Sequence, residues 1–267
     1  MKKKILATTL GLLTAASSIA ASTTTSQTNL EQKNNSLIEK IDIAYFGEFL
    51  QPKVDTEEAN ADFYNLAIID YKLDNGAKLV LQPRFSLVDS AQDRFVEYDL
   101  RAGIKKSFTL TDKLSLFSQA RVQLPTSKGS QADDTLIMGV RTTQLLTAKI
   151  DDFNSLTAGG TITKTLRTKA NSTVDEYSRH NLLPYISYVN SAMSEKFALR
   201  VDLEGYLAHM AGKSDLHFKN VIGGERIIIG PDMNIAGTSI YPYLQHDPSG
   251  VKAIDQAGAG VQIYRKF

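Results

Sequence analysis

The sequence predicts an all-β chain, an up-and-down antiparallel β-barrel of about twelve strands that crosses a membrane. Three observations predict it. Apolar and polar residues alternate over stretches of about ten residues, the length that crosses a bilayer at a tilt. Connections between these stretches run long, short, long, short. The first residues have the form of an export signal. Composition removes competing classes. The chain has 267 residues, of which 42% are hydrophobic, and no Cys or Trp. A helical membrane bundle needs repeated apolar runs of about 18 residues or more, and none is present. A disulfide-stapled scaffold needs cysteines. Lys+Arg number 30 against 29 Asp+Glu, so a strongly basic nucleic-acid binder is not expected.

Residues 1–21 read as a signal peptide. Lys2, Lys3 and Lys4 form a basic head, Ile5 to Ala16 an apolar core, and Ser17 to Ala21 a run of mostly small residues. Cleavage after Ala20 or Ala21 fits the small-residue rule. Its removal leaves 27 basic and 29 acidic residues, a formal charge of −2. Residues 22–40 form a polar tail, expected to be an unstructured leader with little helical tendency over Leu30 to Ile38.

From residue 41 to 267 the period is two. Four segments are clearest. In 79–87, Leu79, Leu81, Pro83, Phe85 and Leu87 oppose Val80, Gln82, Arg84 and Ser86. In 95–105, Val96, Tyr98, Leu100, Ala102 and Ile104 oppose Glu97, Asp99, Arg101 and Lys105. In 114–124, Leu114, Leu116, Ala120, Val122 and Leu124 oppose Gln119, Arg121 and Gln123. In 197–207, Phe197, Leu199, Val201, Leu203 and Leu207 oppose Arg200, Asp202 and Glu204. Weaker strands are expected near 41–50, 62–73, 135–146, 155–166, 180–190, 225–230, 235–245 and 251–267. Asp74-Asn75-Gly76 is a hairpin turn of the Asn-Gly type. Thr111-Asp112-Lys113 and Pro231-Asp232-Met233-Asn234 are the other short connections. Longer polar stretches lie at about 51–61, 88–94, 125–134, 167–179 and 209–224.

Alternation alone fits a soluble barrel with an apolar interior as well as a membrane barrel with an apolar exterior. The export signal, the strand lengths, the loop rhythm and the mid-strand charges favour the membrane form. The last segment, AGAGVQIYRKF, places Ala257, Ala259, Val261, Ile263 and Phe267 on one face and ends on an aromatic residue. This resembles the C-terminal assembly strand of bacterial outer-membrane β-barrel proteins of porin type. The resemblance spans the signal peptide, the meander and the final strand, with Arg265 as a departure from the usual apolar position. It implies the outer membrane as destination, with termini and short turns periplasmic and long loops outside. It also implies contact with outer-membrane lipid and lipopolysaccharide, and passage of small hydrophilic solutes. Aromatic residues near strand ends (Phe49, Tyr71, Phe85, Tyr98, Phe108, Tyr241, Tyr243 and Phe267) fit interfacial girdles.

On this reading the polar face lines a lumen. Arg84, Arg101, Arg121 and Arg141 come from four consecutive strands and would form one basic wall. Asp42, Glu48, Asp70, Glu97, Asp99, Asp202 and Glu204 would supply acidic groups elsewhere, and Lys78 and Arg200 complete the charged lining. Opposed charges would set a transverse field that sorts solutes. A barrel of twelve strands lies between filled and open sizes. A narrow pore and a plugged barrel whose outer loops bind a partner, a surface or lipopolysaccharide therefore both stay open. Ala158 and Gly160 would leave a small-residue patch on the lipid face, suited to contact between copies. No catalytic reading emerges. His180, His209, His217 and His246 lack metal spacing, and Ser178, Ser214 and Asp215 form no recognisable triad. Asp133-Asp134 and Asp151-Asp152 read as solvated turns. No cofactor, metal or enzymatic activity is expected.

Overall fold

The structure, a computed structural model, describes residues 38–51, 61–88, 95–132, 136–167, 178–194, 196–205, 207–210, 217–218, 226–246 and 257–267. The expected signal peptide, most of the expected polar tail and most of the long connections lie outside the described residues. So do the side chains of Ser178, His180, His209 and His217, and all of Asp133-Asp134, Ser214 and Asp215.

Fourteen strand segments form one sheet that closes on itself: β1 (Ile41–Gln51), β2 (Asp62–Lys72), β3 (Lys78–Val88), β4 (Phe95–Thr111), β5 (Leu114–Gln123), β6 (Leu136–Lys149), β7 (Asn154–Arg167), β8 (Ser178–Ser194), β9 (Phe197–Glu204), β10 (Leu207–Met210), β11 (His217–Phe218), β12 (Arg226–Ile235), β13 (Thr238–His246) and β14 (Ala257–Lys266). Both β9 and β10 pair with β8, so they are successive parts of one stave. β12 pairs with β9 and β11 with β10, which makes them parts of the next. The result is a barrel of twelve antiparallel staves, each paired with its neighbours in sequence and sealed by β1 against β14. Pairing β1 with β14 removes the open edge between the first and last strands, which hydrocarbon cannot satisfy. One helical turn, α1 (Lys128–Gln131), sits between β5 and β6.

Register sorts every side chain to one of two faces. Ile69 opposite Leu81, Leu79 opposite Ile104 and Leu116 opposite Leu146 share the outer face, where large apolar residues are exposed. Asp70, Gln82, Ser86, Gln119, Thr143, Ser187 and Asp202 are buried on the inner one. The barrel is therefore apolar outside and polar inside, the arrangement for a lipid surround. Ala158 and Gly160 face outward beside Gln144, whose Nε2 donates to Ser118 Oγ at 2.8 Å. On β14, Ala257, Ala259, Val261 and Ile263 face outward, and Arg265 lies over the Phe267 ring at 5.3 Å. An amphipathic reach of this kind fits a chain end near headgroups.

Two sequence expectations are corrected. The segment Pro231-Asp232-Met233-Asn234 is not a turn. It lies within β12, and the turn falls at Ala236-Gly237. Pro231 sits opposite Pro242, where the β12–β13 ladder is interrupted. Neither proline has an N–H, so the pair leaves no donor unmatched. The second correction concerns β4. Its register against β3 shifts between Gln82 and Arg84, so an extra β4 residue is accommodated opposite Pro83. Such a bulge exchanges the faces of everything beyond it. Tyr98 consequently points inward, and Glu97 pairs with Phe85 on the outer face.

The aromatic expectation divides in the same way. Phe49, Tyr71, Phe85, Phe108 and Phe267 face outward, whereas Tyr98, Tyr241 and Tyr243 face inward. Glycine on the inner face of β14 makes room for these rings, since a Cβ at Gly260 would stand 2.4 Å from the Tyr243 ring.

Candidate functional site: the charged inner wall

β3 to β6 carry the four arginines to one wall. Arg121 and Arg141 are direct cross-strand partners. Arg101 pairs with Gln82 on one side and Gln123 on the other. The four guanidiniums lie within electrostatic reach of one another. Arg84, Arg101 and Arg121 have neutral partners, while the Nε atoms of Arg121 and Arg141 are buried with no hydrogen-bond partner among the described residues. Arg84 donates from Nε and Nη2 to the backbone carbonyl of Asp99, at 3.2 and 2.8 Å, and lies over the Tyr98 ring at 5.3 Å. Arg101 Nε donates to Gln123 Oε1 at 3.3 Å. Arg121 donates from Nη1 to Gln82 Oε1 at 2.6 Å and from Nη2 to Thr143 Oγ1 at 3.4 Å. Among the described residues, no carboxylate forms an ion pair with any of the four.

Asp99 is the acidic residue nearest this wall, yet its carboxylate is turned to the β5–β6 connection. Oδ1 accepts from the N–H of Thr126, the N–H of Ser127 and Ser127 Oγ. Oδ2 accepts from Ser130 Oγ at 2.6 Å and Gln123 Nε2 at 3.1 Å. The Leu100 N–H in turn donates to Thr126 Oγ1 at 2.8 Å. Ser127 is also the N-cap of α1, accepting from the Ser130 N–H.

A second charged group sits across β8, β9, β12, β13 and β1. Asp202, with no exposed surface, is held by Arg200 through Nε at 3.0 Å and Nη2 at 2.7 Å, and by the Tyr185 hydroxyl at 3.1 Å. Arg226 Nε reaches Glu204 at 2.6 Å, and its Nη1 stands 3.8 Å from Glu48. Glu48 also accepts from the Tyr243 hydroxyl at 2.6 Å and Gln262 at 3.0 Å. The carboxylates here are engaged with cations and hydroxyls. Asp232 adds a further negative group, 3.9 Å from Arg200 Nη1. A cavity of about 300 Å³ lies in front of this group, lined by Phe46, Arg200, Ser239, Tyr241, Gln262 and Tyr264.

A third group occupies the short-turn end. Lys72, Lys78 and Lys266 lie 3.0, 2.8 and 3.3 Å from Asp42, and Lys105 lies 2.8 Å from Asp70. Asp42, Asp70, Lys78, Lys105 and Lys266 border a cavity of about 340 Å³.

Of the residues expected to line a lumen, the structure places Lys78, Arg84, Asp99, Arg101, Arg121, Arg141, Arg200, Asp202 and Glu204 on the inner face, distributed among these three groups. Sequence reasoning puts Glu97 with them and so misplaces a residue that the bulge turns outward and leaves exposed. It misses Arg226, Gln82, Gln123 and Lys105 as members. Gln82 and Gln123 carry the same alternation signal as the arginines, but an uncharged side chain gives no charge pattern to mark it. His246 faces outward on β13. Asp151 organises its turn, accepting from the N–H groups of Phe153 and Asn154 and from the Asn154 side chain. No set of metal-ligating side chains occurs among the described residues.

No protein-family model and no curated protein sequence matches the chain. Among solved structures, the barrel is similar to the COG4313 outer membrane channel from Pseudomonas putida F1, with a TM-score of 0.51 and 11% identity over 85% of this chain and 94% of that one. It is similar to the NanC porin, with a TM-score of 0.50 and 6% identity over 83% of this chain and 97% of that one. The KdgM porin aligns over 85% of this chain and 99% of its own, at 10% identity and a TM-score of 0.49. At these identities the likeness is one of fold. The chain has the twelve-strand barrel fold shared with outer-membrane porins and channels, and an exterior matched to hydrocarbon.

Proposed function

We propose that the barrel is a passive channel of the outer membrane for small hydrophilic solutes, and that its basic wall favours anions. The observation that carries this reading is a wall of four arginines on adjacent strands, none ion-paired to a carboxylate among the described residues, in which the hydrogen bonds of Arg84, Arg101 and Arg121 go to amides, a hydroxyl and a main-chain carbonyl. Guanidiniums so held keep their positive charge available to the lumen. In a low-dielectric enclosure, such a wall raises the local concentration of anions and lowers that of cations. The ion-paired groups on β9 to β1 contribute less, because their fields are partly cancelled at short range. No covalent step is involved. A solute exchanges part of its hydration shell for Arg, Gln and Thr donors and leaves down its gradient.

The test is reversal potential in a planar bilayer under a KCl gradient, wild type against Arg121→Glu. The wild type is expected to prefer chloride. The variant places a carboxylate beside Arg141 and is expected to lose much of that preference while still conducting. A barrel that carries no current in either form would instead be a plugged one, with its function in the outer loops.

A further inference from the structure

We infer that the β5–β6 connection sets the selectivity of the basic wall by holding the Asp99 carboxylate away from the arginines, which makes Ser127 and Ser130 selectivity-determining positioning residues. The inference rests on the channel reading above and adds residues that reading does not use.

Asp99 belongs to the wall by position. Its own carbonyl receives Arg84, and only Gln123 stands between its carboxylate and Arg101, donating to the one and accepting from the other. Beside unpaired guanidiniums, a carboxylate with little exposure would ordinarily form an ion pair, since charge-assisted bonds are the stronger ones. Here five donors occupy it, and four of them come from residues 126–130. Those donors satisfy both oxygens and fix their direction, toward the connection and away from the guanidinium forks. Without the two serine hydroxyls the carboxylate loses its shortest contacts, at 2.8 and 2.6 Å. On the wall itself, Arg84 already donates to the Asp99 carbonyl and Arg101 is joined to the carboxylate through Gln123, so these two are the arginines placed to replace them. An Asp99 paired with these arginines would remove two of the four anion-binding groups, so the connection sets how many arginines face the solute.

The experiment uses the full chain in planar bilayers and compares chloride-over-potassium permeability ratios. Ser127→Ala with Ser130→Ala is expected to lower the ratio severalfold, and adding Asp99→Asn to the pair is expected to restore it. A drop that persists in the triple variant would show that displacement of the connection is responsible, not the freed carboxylate, and would overturn the inference. So would an unchanged ratio in the double variant. Amide hydrogen exchange reads the tether without any current. Ser127, whose N–H donates to Asp99, should be protected in the wild type and lose protection in Asp99→Asn. Fast exchange at Ser127 in the wild type overturns the inference even if the barrel conducts anions. A protected Ser127 amide in a barrel without anion preference overturns the channel reading, and with it the role in selectivity.

Discussion

Asp202 has no exposed surface, and its charge is tolerated because Arg200 and Tyr185 surround it. Removing one partner of a buried ion pair leaves the other uncompensated, which typically costs about 3–5 kcal/mol. Arg200→Met should therefore lower barrel stability by about that amount in denaturant unfolding from lipid vesicles, and adding Asp202→Asn should recover most of it. Glu97 is the opposite case. It stands on the outer face opposite Phe85, so Glu97→Gln should leave the reversal potential unchanged. Its misplacement shows where the sequence stops being legible. Strict alternation puts Glu97 and Asp99 on one face, and nothing in the apolar pattern marks a bulge. The one available signal is Pro83 in the partner strand, which cannot donate to the ladder. The ion pair of Arg226 with Glu204 was invisible for a different reason, since partners 22 residues apart meet only through strand register.

Hairpins and strands were the readable units. The Asn75–Gly76 turn sits where its dipeptide predicts, with Gly76 at φ 78°. The β12–β13 turn is less legible: Pro231-Asp232-Met233-Asn234 has turn-forming residue types yet lies within β12, and the chain reverses at Ala236-Gly237 with φ of 50° and 77°. Left-handed backbone costs a non-glycine residue roughly 1–2 kcal/mol, and Asn is the preferred residue before Gly in such turns. Ala236→Asn should thus stabilise the barrel by about 1 kcal/mol in the same unfolding assay. The β6–β7 turn carries a pH dependence. The Asn154 side chain and the Phe153 N–H hold the Asp151 carboxyl below the ordinary carboxylate range. A depressed folded value means the contribution is complete above the unfolded pKa, about 3.9, and is lost as pH falls through the folded value. Acidification through that window should shift the Phe153 and Asn154 amide resonances in the wild type and not in Asp151→Asn.

Across the entire barrel, period-two alternation and the rhythm of connections were enough to place twelve staves and to choose the apolar-out arrangement. The alternation over 197–207 already joins β9 to the first residue of β10, but it does not carry the stave on to Met210 or show the short β11 beside it. Nor does it show that the carboxylates opposite the arginine wall are engaged with Arg200, Arg226 and tyrosine hydroxyls. The remaining question is whether the polar face encloses a water-filled, positively charged path. The chain has no native cysteine, so single cysteines report without background. Arg121→Cys and Arg141→Cys lie on the inner face, and Ala120→Cys and Thr142→Cys occupy the adjacent cross-strand pair on the outer one. In membrane-inserted protein, a small water-soluble thiol reagent should modify the two inner positions and spare the two outer ones, and an anionic reagent should react faster than a cationic one of equal size. Modification of the outer pair with protection of the inner pair, or a faster cationic reagent, would contradict this account.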